Sequence, residues 1–200
     1  MKFISHRINT IKDLDATNPV YGVEVDIRSQ GDQLVIHHDP FVQGESFQDW
    51  LSHYQHGTLI LNVKEEGLEA RLIDMMSKSG IDDYFLLDQS FPFMMRWAAA
   101  AGGRSAVRVS EFESIETALS VADKVSWVWV DCFTRFPLNS DQTERLRTAG
   151  FRLCFVSPEL HGRHTVSIET MAHDLLAGNI QADAICTKKP EIWQKLLNCA

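Results

Sequence analysis

Nine short runs rich in Val, Ile, Leu and aromatic residues recur at fairly even intervals: KFIS, GVEVDI, LVIHH, TLILNV, YFLLD, SAVRVS, SWVWVD, FRLCFVS and DAICT. Runs of this length and composition are the pattern of strands. Helix-like stretches lie between most of them. LEARLIDMMSKSG repeats its apolar residues every three to four positions and meets Gly80 at its end, and PFMMRWAAAAGG starts after Phe91 and stops at Gly102. SEFESIETALSVAD opens with Ser110 and Glu113 in capping-box spacing, and SDQTERLRTAG ends at Gly150, directly before a strand. SIETMAHDLLAG and PEIWQKLLNC complete the series. Alternation of this kind predicts parallel strands with helices outside. With LVIHH taken as an extension of the second strand, about eight strand–helix units remain, the number of a closed barrel. The expected fold class is therefore α/β, a compact (β/α)8 TIM barrel, formed by one domain over residues 1–200. Its loops must be short, because such barrels start at roughly 200 residues. An open doubly wound sheet is the competing architecture, but no Gly-rich turn follows the first strand, where a dinucleotide fold carries one.

With 44% of residues hydrophobic, the chain supports one sizeable core. The net charge is −8 and no basic run occurs, which argues against nucleic acid as a partner. MKFISHR shows no signal-peptide pattern and no apolar stretch has the length of a membrane span, so a cytoplasmic location is expected. Cys132, Cys154, Cys186 and Cys199 form no C-x-x-C, and they are read as reduced core residues.

Function in such a barrel collects at the C-terminal ends of the strands, and polar residues gather there in this chain. Strand one ends in His6-Arg7, and the extension of strand two in His37-His38-Asp39. Strand three ends in Asn62-Val63-Lys64, strand four in Asp88-Gln89, strand five in Arg108 and Ser110. Strand six ends in Asp131, strand seven in Ser157-Pro158-Glu159 with His161 just beyond, and strand eight in Thr187-Lys188. GVEVDIR carries two carboxylates. Side chains alternate across a strand, so Glu24 and Asp26 share one face and Val23, Val25 and Ile27 the other. If both faces are covered, the acids point inward, where they repel unless a cation or base sits between them. The alternative is an edge strand with a wet acidic face.

Glu24 and Asp26, helped by neutral Asn62, suit one hard divalent cation, Mg²⁺ or Ca²⁺. Arg7, Lys64 and Arg108 suit the oxygens of a phosphate. Two histidines from different strands can flank the phosphorus, one taking a proton and one giving it. Together these groups point to cleavage of a phosphodiester. Trp127 and Trp129 either line a sugar or base site or pack in the core. The aromatics of FTRFPL are a candidate contact for a homodimer.

Several of these stretches also form an ordered series. SHR at Ser5–Arg7 with NTI soon after, GVEVDIR, LVIHHDP, LNVK, LLDQSF and ADAICTKKP resemble, over nearly the whole chain, the glycerophosphodiester phosphodiesterases and the wider phosphatidylinositol-phospholipase-C-like barrels. The resemblance implies a (β/α)8 barrel and attack on phosphorus assisted by one divalent ion. It implies His6 and His38 as the acid/base pair, Glu24 and Asp26 as metal ligands, and Lys64 and Arg7 near the phosphate. The substrate implied is a small soluble phosphodiester, glycerol-phosphate or sugar- or polyol-phosphate in type. Where the family's E-x-K carries a third acidic ligand, this chain has Asn62, and Asp131 or Glu159 could supply the missing carboxylate. Ile8 stands in place of the glycine that usually follows His-Arg, and the segment after His38-Asp39 is short. Two other readings stay open: a metal-independent phospho-lyase that gives a cyclic phosphate, and a non-catalytic phosphate-binding barrel.

Overall fold

A computed structural model describes residues 1–198; Cys199, one of the four cysteines read as core, lies outside the described residues. The elements in chain order begin with β1 (Lys2–Ser5), α1 (Ile11–Ala16), β2 (Gly22–Gln30), β3 (Gln33–Ile36), β4 (Glu45–Ser46), α2 (Phe47–His53) and β5 (Leu59–Val63). They continue with α3 (Glu69–Lys78), β6 (Tyr84–Leu87), α4 (Phe91–Trp97), β7 (Ala106–Val109), α5 (Ile115–Leu119), β8 (Trp127–Val130) and α6 (Ser140–Thr148). The last are β9 (Arg152–Val156), a 3-10 turn at Pro158–His161, α7 (Val166–Ala177), β10 (Ala184–Thr187) and α8 (Pro190–Asn198). Each of the nine apolar runs contains a strand. The helix expected from Ser110 starts later. Ser110 Oγ donates to Glu113 Oε2 at 2.6 Å and closes a turn, and Ser114 caps α5 by accepting the N–H of Glu116 at 3.1 Å.

The chain divides into two compact units. One is Ser5–Ser105, and the other is Met1–Ile4 with the chain from Ala106 onward. In the first unit β2 runs parallel to β5, with Asp26 opposite Asn62, and β5 runs parallel to β6. β3 folds back on β2 through a tight turn whose Gly31 sits at φ +59, a conformation that costs glycine little. Val23, Val25, Ile27, Leu61 and Phe47 are fully or almost fully buried against one another. Each removes enough apolar surface from water to stabilise the unit by roughly 1.5–3 kcal/mol. Trp50 is wholly buried in α2, and its Nε1–H donates to the Ile8 carbonyl at 3.0 Å. That bond ties α2 to the segment immediately after His6 and Arg7.

In the second unit β7, β8, β9 and β10 are parallel neighbours in that order. The N–H of Lys2 donates to the Asp183 carbonyl at 2.8 Å, just ahead of β10. Trp127 and Trp129 are core residues, 2% and 6% exposed, which settles them as packing. Cys132, Cys154 and Cys186 are buried. The Cys132 thiol donates to the Val156 carbonyl at 3.0 Å, and burial pushes its pKa up to about 12. α6 begins with a capping box: Asn139 accepts the N–H of Gln142 at 2.9 Å, and the Gln142 side chain accepts the N–H of Asn139 at 3.0 Å. Asn139→Ala removes one of these bonds and is expected to lower the unfolding free energy by about 1 kcal/mol, read as a shifted urea midpoint with unchanged slope. Among the described residues, no helix is long and apolar enough to cross a membrane.

Candidate active site

The first unit assembles most of the residues singled out above. Glu24 and Asp26 are both 0% exposed, so the acids of β2 face the interior and the wet-edge alternative is overturned. Two buried carboxylates one residue apart need compensating donors, and the surroundings supply them. Glu24 Oε2 accepts the backbone N–H of Arg7 at 2.8 Å, and its Oε1 accepts from Asn62 Nδ2 at 2.8 Å. The Nε2 of His6 lies 3.7 Å from Glu24 Oε2. Asp26 Oδ2 accepts from Asn9 Nδ2 at 2.8 Å and lies 3.7 Å from Arg7 Nε, while Oδ1 lies 3.2 Å from Lys64 Nζ. Lys64 also reaches Asp88 Oδ2 at 3.3 Å.

Local chain geometry produces this convergence. Arg7 adopts a left-handed backbone, φ +56, which is uncommon for a residue with a side chain. The turn brings three successive residues onto β2. Arg7 N–H meets the Glu24 side chain, Ile8 N–H meets the Glu24 carbonyl at 2.8 Å, and Asn9 Oδ1 accepts the Asp26 N–H at 3.0 Å. Asn9 therefore grips Asp26 by both side chain and backbone. The parallel register of β2 and β5 sets Asn62 beside Asp26, and Lys64 follows at the strand end.

His38 stands on the loop after β3. The N–H of His37 donates to the Asp26 carbonyl at 3.1 Å, so this loop starts beside Asp26 of β2. Arg28 donates from Nε and NH2 to the His38 carbonyl at 3.1 and 2.9 Å, which fixes the backbone there. The His38 Nδ1–H donates to Asp39 Oδ1 at 2.7 Å, and that bond, with the charges of His38, His37 and Arg7 adding to it in that order, holds the Asp39 carboxyl below its usual range. A carboxylate on Nδ1 leaves Nε2 as the basic nitrogen, the arrangement of an oriented proton acceptor.

Burial first and the charge of Asp26 second raise the pKa of Glu24 to about 7; Asn62, the Arg7 N–H and Lys64 offset them only in part. Asn62 Oδ1 is a buried acceptor without a hydrogen-bond donor, and Asp26, directly opposite it on β2, has its Oδ1 3.2 Å from Lys64 Nζ. Two carboxylates and an amide oxygen are hard donors, and they fit Mg²⁺ or Ca²⁺. Among the described residues, no three His, Cys, Asp or Glu side chains group closely enough to hold a metal ion.

Arg108, Asp131 and Glu159 belong to the second unit. Arg108 NH1 lies 3.1 Å from Asp131 Oδ2, which also accepts from Trp129 Nε1 at 3.2 Å, and Asp131 Oδ1 accepts from His161 Nε2 at 2.8 Å. Glu159 accepts from Thr187 Oγ1 at 2.5 Å, from the Lys188 N–H at 3.0 Å and from Ser157 Oγ. Sequence reasoning assigned no role to Asn9, Arg28 or the His161–Asp131 pair. Only the NTI stretch, which holds Asn9 two residues past Arg7, gave any signal.

No protein-family model matches the sequence, and neither does any curated protein. Solved structures do. One from Agrobacterium tumefaciens, assigned as a glycerophosphoryl diester phosphodiesterase, aligns with TM-score 0.72 at 16% identity, covering 99% of this chain and 97% of that one. A glycerophosphodiester phosphodiesterase from the same organism gives 0.69 at 14% identity, with 98% and 99% covered. A glycerophosphoryl diester phosphodiesterase from Parabacteroides distasonis gives 0.66 at 11% identity, with 99% and 86% covered. Identities this low establish the fold, and the fold is the α/β barrel class that strand–helix alternation predicts.

Proposed function

We propose that the chain is a phosphodiesterase that acts on a small soluble phosphodiester, glycerophosphodiester-like or a sugar- or polyol-phosphate, with one divalent cation, Mg²⁺ or Ca²⁺. The observation that carries the reading is the fully buried Glu24–Asp26 pair, flanked by His6, Arg7, Asn62 and Lys64, with Glu24 raised to about 7 by burial and by Asp26. The likeness of the whole chain to solved phosphodiesterases supports the same reaction class.

Glu24, Asp26 and Asn62 hold the cation, which when bound neutralises charge on the phosphoryl oxygens. Arg7 and Lys64 orient those oxygens and balance the charge that grows on them during attack. His38, oriented by Asp39, accepts the proton of the attacking hydroxyl at Nε2. His6, whose Nε2 lies 3.7 Å from Glu24, donates a proton to the leaving alkoxide. Where the substrate carries its own nearby hydroxyl, that group attacks first and the product is a cyclic phosphate.

The test is cleavage of bis(4-nitrophenyl) phosphate by protein treated with EDTA and then resupplied with Mg²⁺ or Ca²⁺. Chelation is expected to lower the rate by more than about tenfold, the scale on which one ion stabilises developing charge, and resupply to restore it. One observation favours a second reading. Lys64 at 3.2 Å and Arg7 at 3.7 Å already flank Asp26, as the basic groups of a metal-independent phospho-lyase would. Full activity in EDTA with a cyclic phosphate product selects that mechanism. Phosphate binding without turnover selects a non-catalytic barrel.

A further inference from the structure

Packing does not set the place of the His38 imidazole. Its side chain is 40% exposed and that of its partner Asp39 is 68% exposed. Both belong to the loop of residues 37–44 that joins β3 to β4. The loop closes at Gly44, where a Cβ would lie 2.5 Å from the Ile36 carbonyl oxygen, so the chain ends come together there. Its tip lacks support: Phe41 is wholly exposed and takes a left-handed backbone, φ +63. Among the described residues, Arg28 is the one side chain from outside the loop that hydrogen-bonds to it. The Arg28 guanidinium, 15% exposed, donates from Nε and NH2 to the single His38 carbonyl at 3.1 and 2.9 Å. These two donors form one edge of a planar fork, which the ammonium of lysine cannot reproduce. Arg28 NH1 meets Glu65 Oε1 at 3.4 Å. Glu65 is anchored in turn, because its Oε2 accepts the Ser29 N–H at 3.1 Å and the Ser29 hydroxyl at 2.6 Å.

We propose that Arg28, aimed by Glu65, is the positioning residue of His38; the inference rests on the reading of His38 as the proton acceptor. Arg28 acts through the backbone. The carbonyl that it holds and the imidazole that takes the proton belong to the same residue, so releasing the carbonyl displaces the ring. A misplacement of about 1 Å in a reacting group costs on the order of 10²-fold in rate. The Glu65 carboxylate ties this arrangement to the strand end that carries Lys64, because the two residues are neighbours in the chain. One ion pair between the ends of β2 and β5 thus fixes the loop of the base beside the residue assigned to the phosphoryl oxygens.

The experiment is a double-substitution cycle on the full-length protein, with steady-state kinetics on bis(4-nitrophenyl) phosphate and Mg²⁺. Arg28→Lys is expected to lower kcat by about 10- to 100-fold and to change KM by less than about twofold. In a His38→Ala background the same substitution is expected to change kcat by less than about twofold, because the group that it positions is gone. An arginine that only stabilises the fold lowers both backgrounds alike. Glu65→Gln, which keeps Arg28 but loosens its aim, is expected to give the same pattern with a smaller loss. Equal losses in the two backgrounds overturn the proposal and leave the base assignment standing. So does an unimpaired Arg28→Lys beside an impaired His38→Ala. A His38→Ala variant as fast as wild type overturns the base assignment and the proposal together. If Arg28→Lys fails to fold, the wild-type protein decides. Its Arg28 Nε–H is expected as a resolved, slowly exchanging 1H–15N resonance, and exchange as fast as that of an exposed arginine overturns the anchor.

Discussion

Replacing His6 or His38 with alanine is expected to lower kcat for an alkyl phosphodiester by about 10²–10⁴-fold, the usual contribution of one positioned acid or base. KM is expected to change little, because Arg7 and Lys64, the proposed phosphoryl contacts, are present in both variants. The two losses differ in their pH signature. His38→Ala removes the base and with it the acidic limb of the kcat profile, while His6→Ala removes the acid and with it the alkaline limb. An aryl leaving group needs little protonation, so His6→Ala is expected to cost less on a nitrophenyl ester than on an alkyl ester. Asp39→Asn, which leaves His38 in place but loses the bond to Nδ1, falls between wild type and His38→Ala. Unchanged kcat in both histidine variants, in protein that melts normally, excludes the mechanism.

Much of this site was legible in the sequence because strand alternation is a hard rule. E-x-D on a fully covered strand had to put both acids on one inner face, and Glu24 and Asp26 are 0% exposed. The strands were legible for a related reason: runs of β-branched and aromatic residues have few other uses. The short elements were not. α1 has six residues and α2 seven, too few turns to display a helical period, and β4 has two. Contacts across many residues were also hidden. Asn9 reaches Asp26 over 17 positions and His161 reaches Asp131 over 30, and no local pattern announces either. Arg108 and Asp131, read as separate substrate and metal residues, share an ion pair for the same reason.

Glu24 links the acid pair to stability, and the sign of its effect separates a cation site from an inert cluster. Its pKa rises from 4.5 to about 7 on folding, because burial and Asp26 both disfavour the charged form. A group with a raised folded pKa stabilises fully below its unfolded value, and that contribution is lost as pH climbs through the folded value. Metal-free protein is therefore expected to lose on the order of 3 kcal/mol from this group between about pH 4.5 and 7. Glu24→Gln cannot titrate, so the difference in unfolding free energy between the two proteins isolates the effect from every other ionising group. The curves are expected to diverge across that window, with wild type the one that falls. Bound Mg²⁺ or Ca²⁺ favours the ionised acid and must displace its proton, so the ions are expected to stabilise wild type more at pH 8 than at pH 5.5. Glu24→Gln, with one charge fewer in the donor set, responds weakly at both. Parallel pH profiles for the two proteins, with no thermal shift from either ion at pH 8, remove both the strained carboxylate and the cation it was argued to hold.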